Sequence, residues 1–149
     1  SVLMGIARDI GEASRIPGIP KIAFLSPAQD MTTLAGETVS AAECDILVRM
    51  ISLGQPHRAI PVTGALCIAA TARIDGSLVS GMLDTACGSS ELRLAHPSGV
   101  TNVDAKLERQ DGTWYAASAT ISRTARRLMD GYVYVPAART PGLGVVPRA

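Results

Sequence analysis

Residues 55–74, QPHRAIPVTGALCIAATARI, pass from a polar entry into a run that is apolar on almost every side. Val62, Ala65, Leu66, Cys67, Ile68, Ala69, Ala70 and Ala72 leave no polar stripe at helical spacing before Arg73. A helix that is hydrophobic all round has to be enclosed by its domain. This one is too short for a bilayer, which takes about 20 apolar residues. Pro61 suits the first helical position, where a missing N–H costs nothing, and Asp75-Gly76 provides a stop. The pattern predicts a buried helix over about 61–73, with its N-terminus aimed at a functional pocket.

The other periodicities are shorter. Val2, Leu3, Ile6 and Ile10 recur at helical spacing opposite Arg8, Asp9 and Glu12, predicting an amphipathic helix over 1–14. Residues 21–26 (KIAFLS) read as a buried strand and 27–40 as loop, while 38–43 fit either a strand or one helical turn. The β-branched run 45–53 (DILVRMISL) reads as the strand feeding the central helix. A short strand over 78–83 and a Gly/Ser loop over 84–90 follow. Residues 91–95 and 100–109 alternate about a turn at His96-Pro97-Ser98-Gly99, and Asp111-Gly112 marks a second hairpin. Strands over 113–123 and 126–135 complete the set.

A curved mixed β-sheet wrapped round one buried helix satisfies both kinds of pattern, so the fold class is α+β. The expected organisation is a peripheral helix (1–14), a barrel-like domain (15–136) and a Pro/Gly/Arg-rich tail (137–149).

Composition narrows the function. With 149 residues the chain is one domain long and needs no disulfide or metal to be stable. A formal charge of +1, with scattered basic residues, argues against nucleic acid, and nothing argues for a membrane. Twelve arginines against two lysines suit bidentate recognition of carboxylates, although a GC-rich genome gives the same bias. Three distant cysteines without a CxxC read as reduced thiols of a cytoplasmic protein. No signal peptide is visible, and Ser1-Val2-Leu3-Met4 opens as if in mid-helix, so a fragment is expected.

The first candidate site is the entry to the central helix. A helix start presents unpaired N–H groups and partial positive charge to an anion. Thr63 and Gly64 sit in that turn, and His57 and Arg58 lie just before it. The bland alternative makes Thr63 a cap and His57 and Arg58 solvated loop residues. His96 reads as hairpin chemistry rather than a proton carrier. Regular alternation puts Arg123 and Arg127 on one strand face and Arg126 on the other, as anion ligands or as the charges of a soluble edge. Cys67 reads as a small core residue, and Cys87 as a nucleophile without a base. Two distant histidines supply no metal site.

Several stretches carry a family resemblance: MISLGQPHRAIPVTGALCIAATARIDGSLV (50–79), AHPSGV (95–100), SATISRTARRLMDGYVYVP (118–136) and IPKIAFLSP (19–27). Together they resemble the C-terminal half of the PrpF family, which includes 2-methylaconitate cis-trans isomerase, methylitaconate Δ-isomerase and 4-oxalomesaconate tautomerase. The resemblance implies one half of a diaminopimelate-epimerase-like fold, with the active site between two halves at the N-termini of both central helices. It also implies that the other half, with a proton-moving lysine and cysteine, lies outside this chain. Val62-Thr63-Gly64-Ala65 matches the Gly-Thr-Gly-Ala-like run of the epimerases, but Pro61 stands where their cysteine would be. Two-thiol racemisation is therefore disfavoured, and a 1,3-proton shift fits better.

The expected activity is cofactor-independent isomerisation of a small unsaturated di- or tricarboxylate. His57 is the expected catalytic group, and Arg58, Thr63, Gly64, Ala65, Ser122 and Arg123 are the expected substrate contacts. The alternative is a carboxylate-binding domain that catalyses nothing by itself. A homodimer is left open.

Overall fold

Among the described residues, four β-hairpins and one crossover helix generate the architecture. The computed structural model describes residues 1–16, 18–83, 91–139 and 142. In chain order the strands are β1 (Ile22–Pro27), β2 (Met31–Thr32), β3 (Thr38–Val39), β4 (Ile46–Ser52), β5 (Gln55–Pro56), β6 (Leu92–His96), β7 (Gly99–Gln110) and β8 (Thr113–Ile121). The α-helices are α1 (Ile10–Ala13) and α2 (Val62–Ala72). The main sheet runs β1-β4-β6-β7-β8, with β5 added to β4, while β2 and β3 pair separately.

β4 is the hub. It pairs antiparallel with β1 and β5 and parallel with β6. Ile46, Leu47, Val48 and Met50 are buried, so its apolar run, interrupted by the exposed Arg49, follows from burial on both faces over most of its length. Ile46, Val48 and Met50 join the core beneath α2, while Leu47 joins a second cluster with Met31, Val39, Cys44 and Ala95. Two positive-φ residues, Leu53 (φ 54) and Gly54 (φ 71), turn the chain back into β5. That places His57 beside β4, where its N–H donates to the Met50 carbonyl at 2.8 Å.

α2 packs across the sheet with Ala65, Ile68, Ala69 and Ala72, the i, i+3, i+4, i+7 set. The enclosure expected from its all-round apolarity is met on that flank, while Val62, Thr63 and Cys67 are exposed. Cys67 is thus a surface residue of the helix and not part of the core, because its position falls away from the packing set. Among the described residues, no helix is long and apolar enough to cross a membrane.

A partly buried ion pair locks the parallel seam. Arg93 Nη2 lies 2.6 Å from Asp45 Oδ1, the Arg93 N–H donates to Asp45 Oδ2 at 2.7 Å, and Asp45 N–H donates to the Arg93 carbonyl at 2.9 Å. These bonds extend a parallel ladder that otherwise has two residue pairs, Ile46↔Leu94 and Leu47↔Ala95.

Other sequence expectations need correction. The predicted helix over 1–14 is a 3-10 turn at Val2–Met4 followed by the single turn of α1. Leu3 and Ile10 are exposed, so the apolar stripe has nothing to pack on among the described residues. Residues 38–43 hold both alternatives: β3, then a 3-10 turn at Ala41–Glu43 closed by a Ser40/Glu43 capping box. Residues 78–83 form turns and a 3-10 helix (Ser80–Met82), not a strand. The strand expected at 126–135 is absent: β8 ends at Ile121, and Leu128, Met129, Tyr132, Val133 and Tyr134 are exposed. A strand needs a neighbour to receive its ladder bonds, and among the described residues this one has none. The loop with Cys87 lies outside the described residues, as does most of the tail.

Candidate functional site

The start of α2 carries no cap. Pro61 is the N-cap residue (φ −64, ψ 140), one position earlier than expected, and no side chain among the described residues caps the first turn. The first helical bond is Ala65 N–H to the Pro61 carbonyl, at 2.9 Å. The amides of Val62, Thr63 and Gly64 accordingly have no acceptor among the described residues. Thr63 is exposed at the second helical position, so it is not the cap that the bland reading made it.

Gly64 earns its place by close approach. A Cβ built on it would stand 2.5 Å from Cε and 2.7 Å from Sδ of Met50. Absence of a side chain lets the helix start settle directly on β4. Ala65 is a correction to the expected contact set. Its side chain is fully buried and its amide is already bonded to Pro61, so it packs the helix and offers a ligand no donor.

Arg58 is exposed, with no bond to its guanidinium among the described residues. Its carbonyl accepts from Ser98 Oγ at 2.6 Å. His57 Nε2 is buried, with no hydrogen-bond partner among the described residues. Leaving a buried polar atom unpaired costs about 1–3 kcal/mol, which marks the imidazole as a group awaiting a partner.

The AHPSGV turn reaches the same end of the sheet. His96 is 5% exposed, and its Nε2 lies 2.9 Å from Thr101 Oγ1. Burial first, then the charges of Arg123 and Arg49, hold its pKa below the ordinary 6.5. The hairpin reading of His96 fits this buried position. Ser122 continues the β7–β8 ladder by one bond, donating its N–H to the Asn102 carbonyl at 2.9 Å. Arg123 follows it, exposed, and close enough to His96 for its charge to be felt there. The expected alternation of Arg123, Arg126 and Arg127 lapses, because the strand has ended before them.

The depressed His96 pKa has a measurable consequence. The folded chain binds this proton less readily than the unfolded chain does. Stability is therefore full above the unfolded value near 6.5 and is lost as pH falls through it toward the folded value. Urea midpoints are expected to decline as pH falls below about 6.5, and His96→Gln should remove that part of the slope. An unchanged slope in the variant would refute the assignment.

Sequence reasoning missed Ser98 and Met50, which shape this site without carrying its chemistry. Ser98 was visible only as a turn residue, and Met50 only as one more apolar strand position. Among the described residues, no group of three or more His, Cys, Asp or Glu side chains is placed to hold a metal ion.

Together, a sheet curled round one helix and an open helix start define half of a diaminopimelate-epimerase-like fold. The crystal structure of a methylitaconate-delta-isomerase matches 99% of this chain and 38% of that one, with a TM-score of 0.72 and 33% sequence identity. The PrpF protein family matches residues 1–136, and the chain belongs to it. A 2-methyl-aconitate isomerase of Cupriavidus necator is 40% identical over 136 residues, covering 89% of this chain and 33% of that protein. A 3-methylitaconate isomerase of Eubacterium barkeri is 33% identical over 145 residues, covering 93% of this chain and 36% of that protein. The chain thus spans about a third of the length of the curated relatives it matches.

Proposed function

We propose that this chain is the C-terminal, substrate-binding part of an isomerase acting on a small unsaturated di- or tricarboxylate of the methylaconitate type. The observation that carries the reading is the uncapped start of α2, where the first three amides, the guanidinium of Arg58 just before them in the chain and His57 Nε2 have no partner among the described residues. The names of the relatives support the substrate class.

In this reading Arg58 clamps one carboxylate, and the amides of Thr63 and Gly64 receive its charge. Removing a proton from the allylic carbon leaves an electron pair that spreads over the alkene into the carboxylate. Fixed donors aimed at that carboxylate stabilise the developing charge more in the transition state than in the ground state. The proton then returns at the far end of the allylic system and the double bond moves by one position. His57 orients the substrate or assists proton transfer. Ser122 and Arg123 bind a second carboxylate from the end of β8. The reaction is assigned no metal or organic cofactor, and the remaining proton-moving groups belong to a preceding half-domain of the full-length protein.

Pro61 favours a second reading for the isolated chain, because no thiol stands at the helix start. The chain then holds the carboxylate and moves no proton. Incubation with trans-aconitate in deuterated water separates the two. Deuterium uptake that disappears in His57→Ala places chemistry in this chain, whereas binding without uptake supports the binding domain. No binding at all would sink both.

A further inference from the structure

The HPSG turn is tied to two other parts of the fold and braced by one bond within itself. Ser98 Oγ donates to the Arg58 carbonyl at 2.6 Å, across 40 positions of sequence. The Pro97 carbonyl accepts from the Leu34 amide, in the turn between β2 and β3, at 2.7 Å. The Ser98 amide donates to His96 Nδ1 at 3.2 Å. Because Nδ1 accepts, the imidazole proton resides on Nε2, which donates to Thr101 Oγ1 at 2.9 Å. The hydroxyl of Ser98 is therefore delivered to the strand–helix junction by a chain of bonds that starts inside β7.

Arg58 sits in a bend between β5 and α2, outside any ladder. An arginine side chain has many rotamers, so its value as an anion clamp depends on how firmly its backbone is held. The Ser98 bond is the hydrogen bond that fixes its carbonyl. Among the described residues nothing else in the bend supplies such a tether: the flanking backbone bonds are His57 N–H to Met50 and Ala65 N–H to Pro61.

We infer that Ser98, seated by His96, is a positioning residue for Arg58: it fixes the peptide from which the guanidinium is directed at a substrate carboxylate. This rests on the reading of Arg58 as a carboxylate ligand. Ser98 touches neither substrate nor proton.

Titration of trans-aconitate into the chain, followed by amide NMR, tests it. Ser98→Ala is expected to weaken binding about threefold to tenfold, the range of one neutral hydrogen bond, and Ser98→Thr is expected to restore it. In an Arg58→Ala background, where the Arg58 carbonyl remains but the guanidinium is gone, Ser98→Ala should change nothing further. An equal loss in both backgrounds would show a merely structural serine and overturn the inference. If the unmutated chain binds no trans-aconitate, Arg58 is not the clamp. Ser98 is then judged by the Ala59 amide, which completes the Arg58 peptide. An Ala59 resonance unmoved by Ser98→Ala rules out the tether as well, and a displaced one retains it.

Discussion

Arg58→Ala in the full-length protein is expected to lower kcat/KM for the proposed unsaturated polycarboxylate substrate about tenfold to a hundredfold, the scale of a charge-assisted hydrogen-bonded pair. Its guanidinium meets no acidic group among the described residues, so nothing of the fold is lost with it. The loss should appear mainly in KM if the clamp grips substrate and transition state alike, and in kcat if it grips the charge that develops. Arg58→Lys should recover part of the loss, since a point charge replaces a planar fork. Steady-state kinetics with unchanged constants would remove the start of α2 from the substrate site.

The second large effect is on stability. Arg93→Ala is expected to cost about 2–3 kcal/mol in urea unfolding, somewhat below the range for a fully buried pair. The Arg93 side chain retains 32% of its exposure, so solvent screens part of the attraction, whereas Asp45 retains 10% and loses this partner where solvent compensates little. The arginine also bonds the Ala42 carbonyl at 2.6 Å, so one substitution loosens the 3-10 turn as well as the seam. A change within 0.5 kcal/mol, the usual scatter of surface substitutions, would show that the parallel ladder holds without the pair.

What was legible in the sequence was whatever had local causes. Alternation in 100–109, turn chemistry at Asp111-Gly112 and at His96 to Gly99, and the breaker-bounded run feeding α2 all reappear as β7, β8, β6 and β4. Positions that depend on a neighbour remote in sequence were not legible. Leu3 and Ile10 have helical spacing but nothing to cover them among the described residues, and 126–135 has strand spacing without a strand beside it. Cys67 belongs to an apolar run, yet the sheet's position decides which helix flank is buried.

The candidate site divides in the same way. Arg58, His57 and Thr63 announce themselves by residue type beside a helix start. Ala65 falls out, because hydrogen bonding and burial remove its donor. Ser98 is invisible until the β6–β7 turn is brought against the bend before α2. One signal was available and unused: Ser40-Ala41-Ala42-Glu43 reads as a capping box.

The single parallel seam between β4 and β6 also sets the order in which the chain can assemble. Every other pairing in the main sheet joins neighbours that a hairpin or a modest loop brings together. The seam instead joins Asp45 to Arg93, 48 positions apart, with α2 folded into the interval. Loop-closure entropy rises with the logarithm of that separation and is incurred before any seam contact forms. β6–β8 on one side and β1, β4 and β5 on the other can form by short-range steps, and docking of α2 brings them edge to edge. Folding speed is therefore governed less by the strength of any one hairpin than by how readily a mostly alanine helix face settles on β7 and β8.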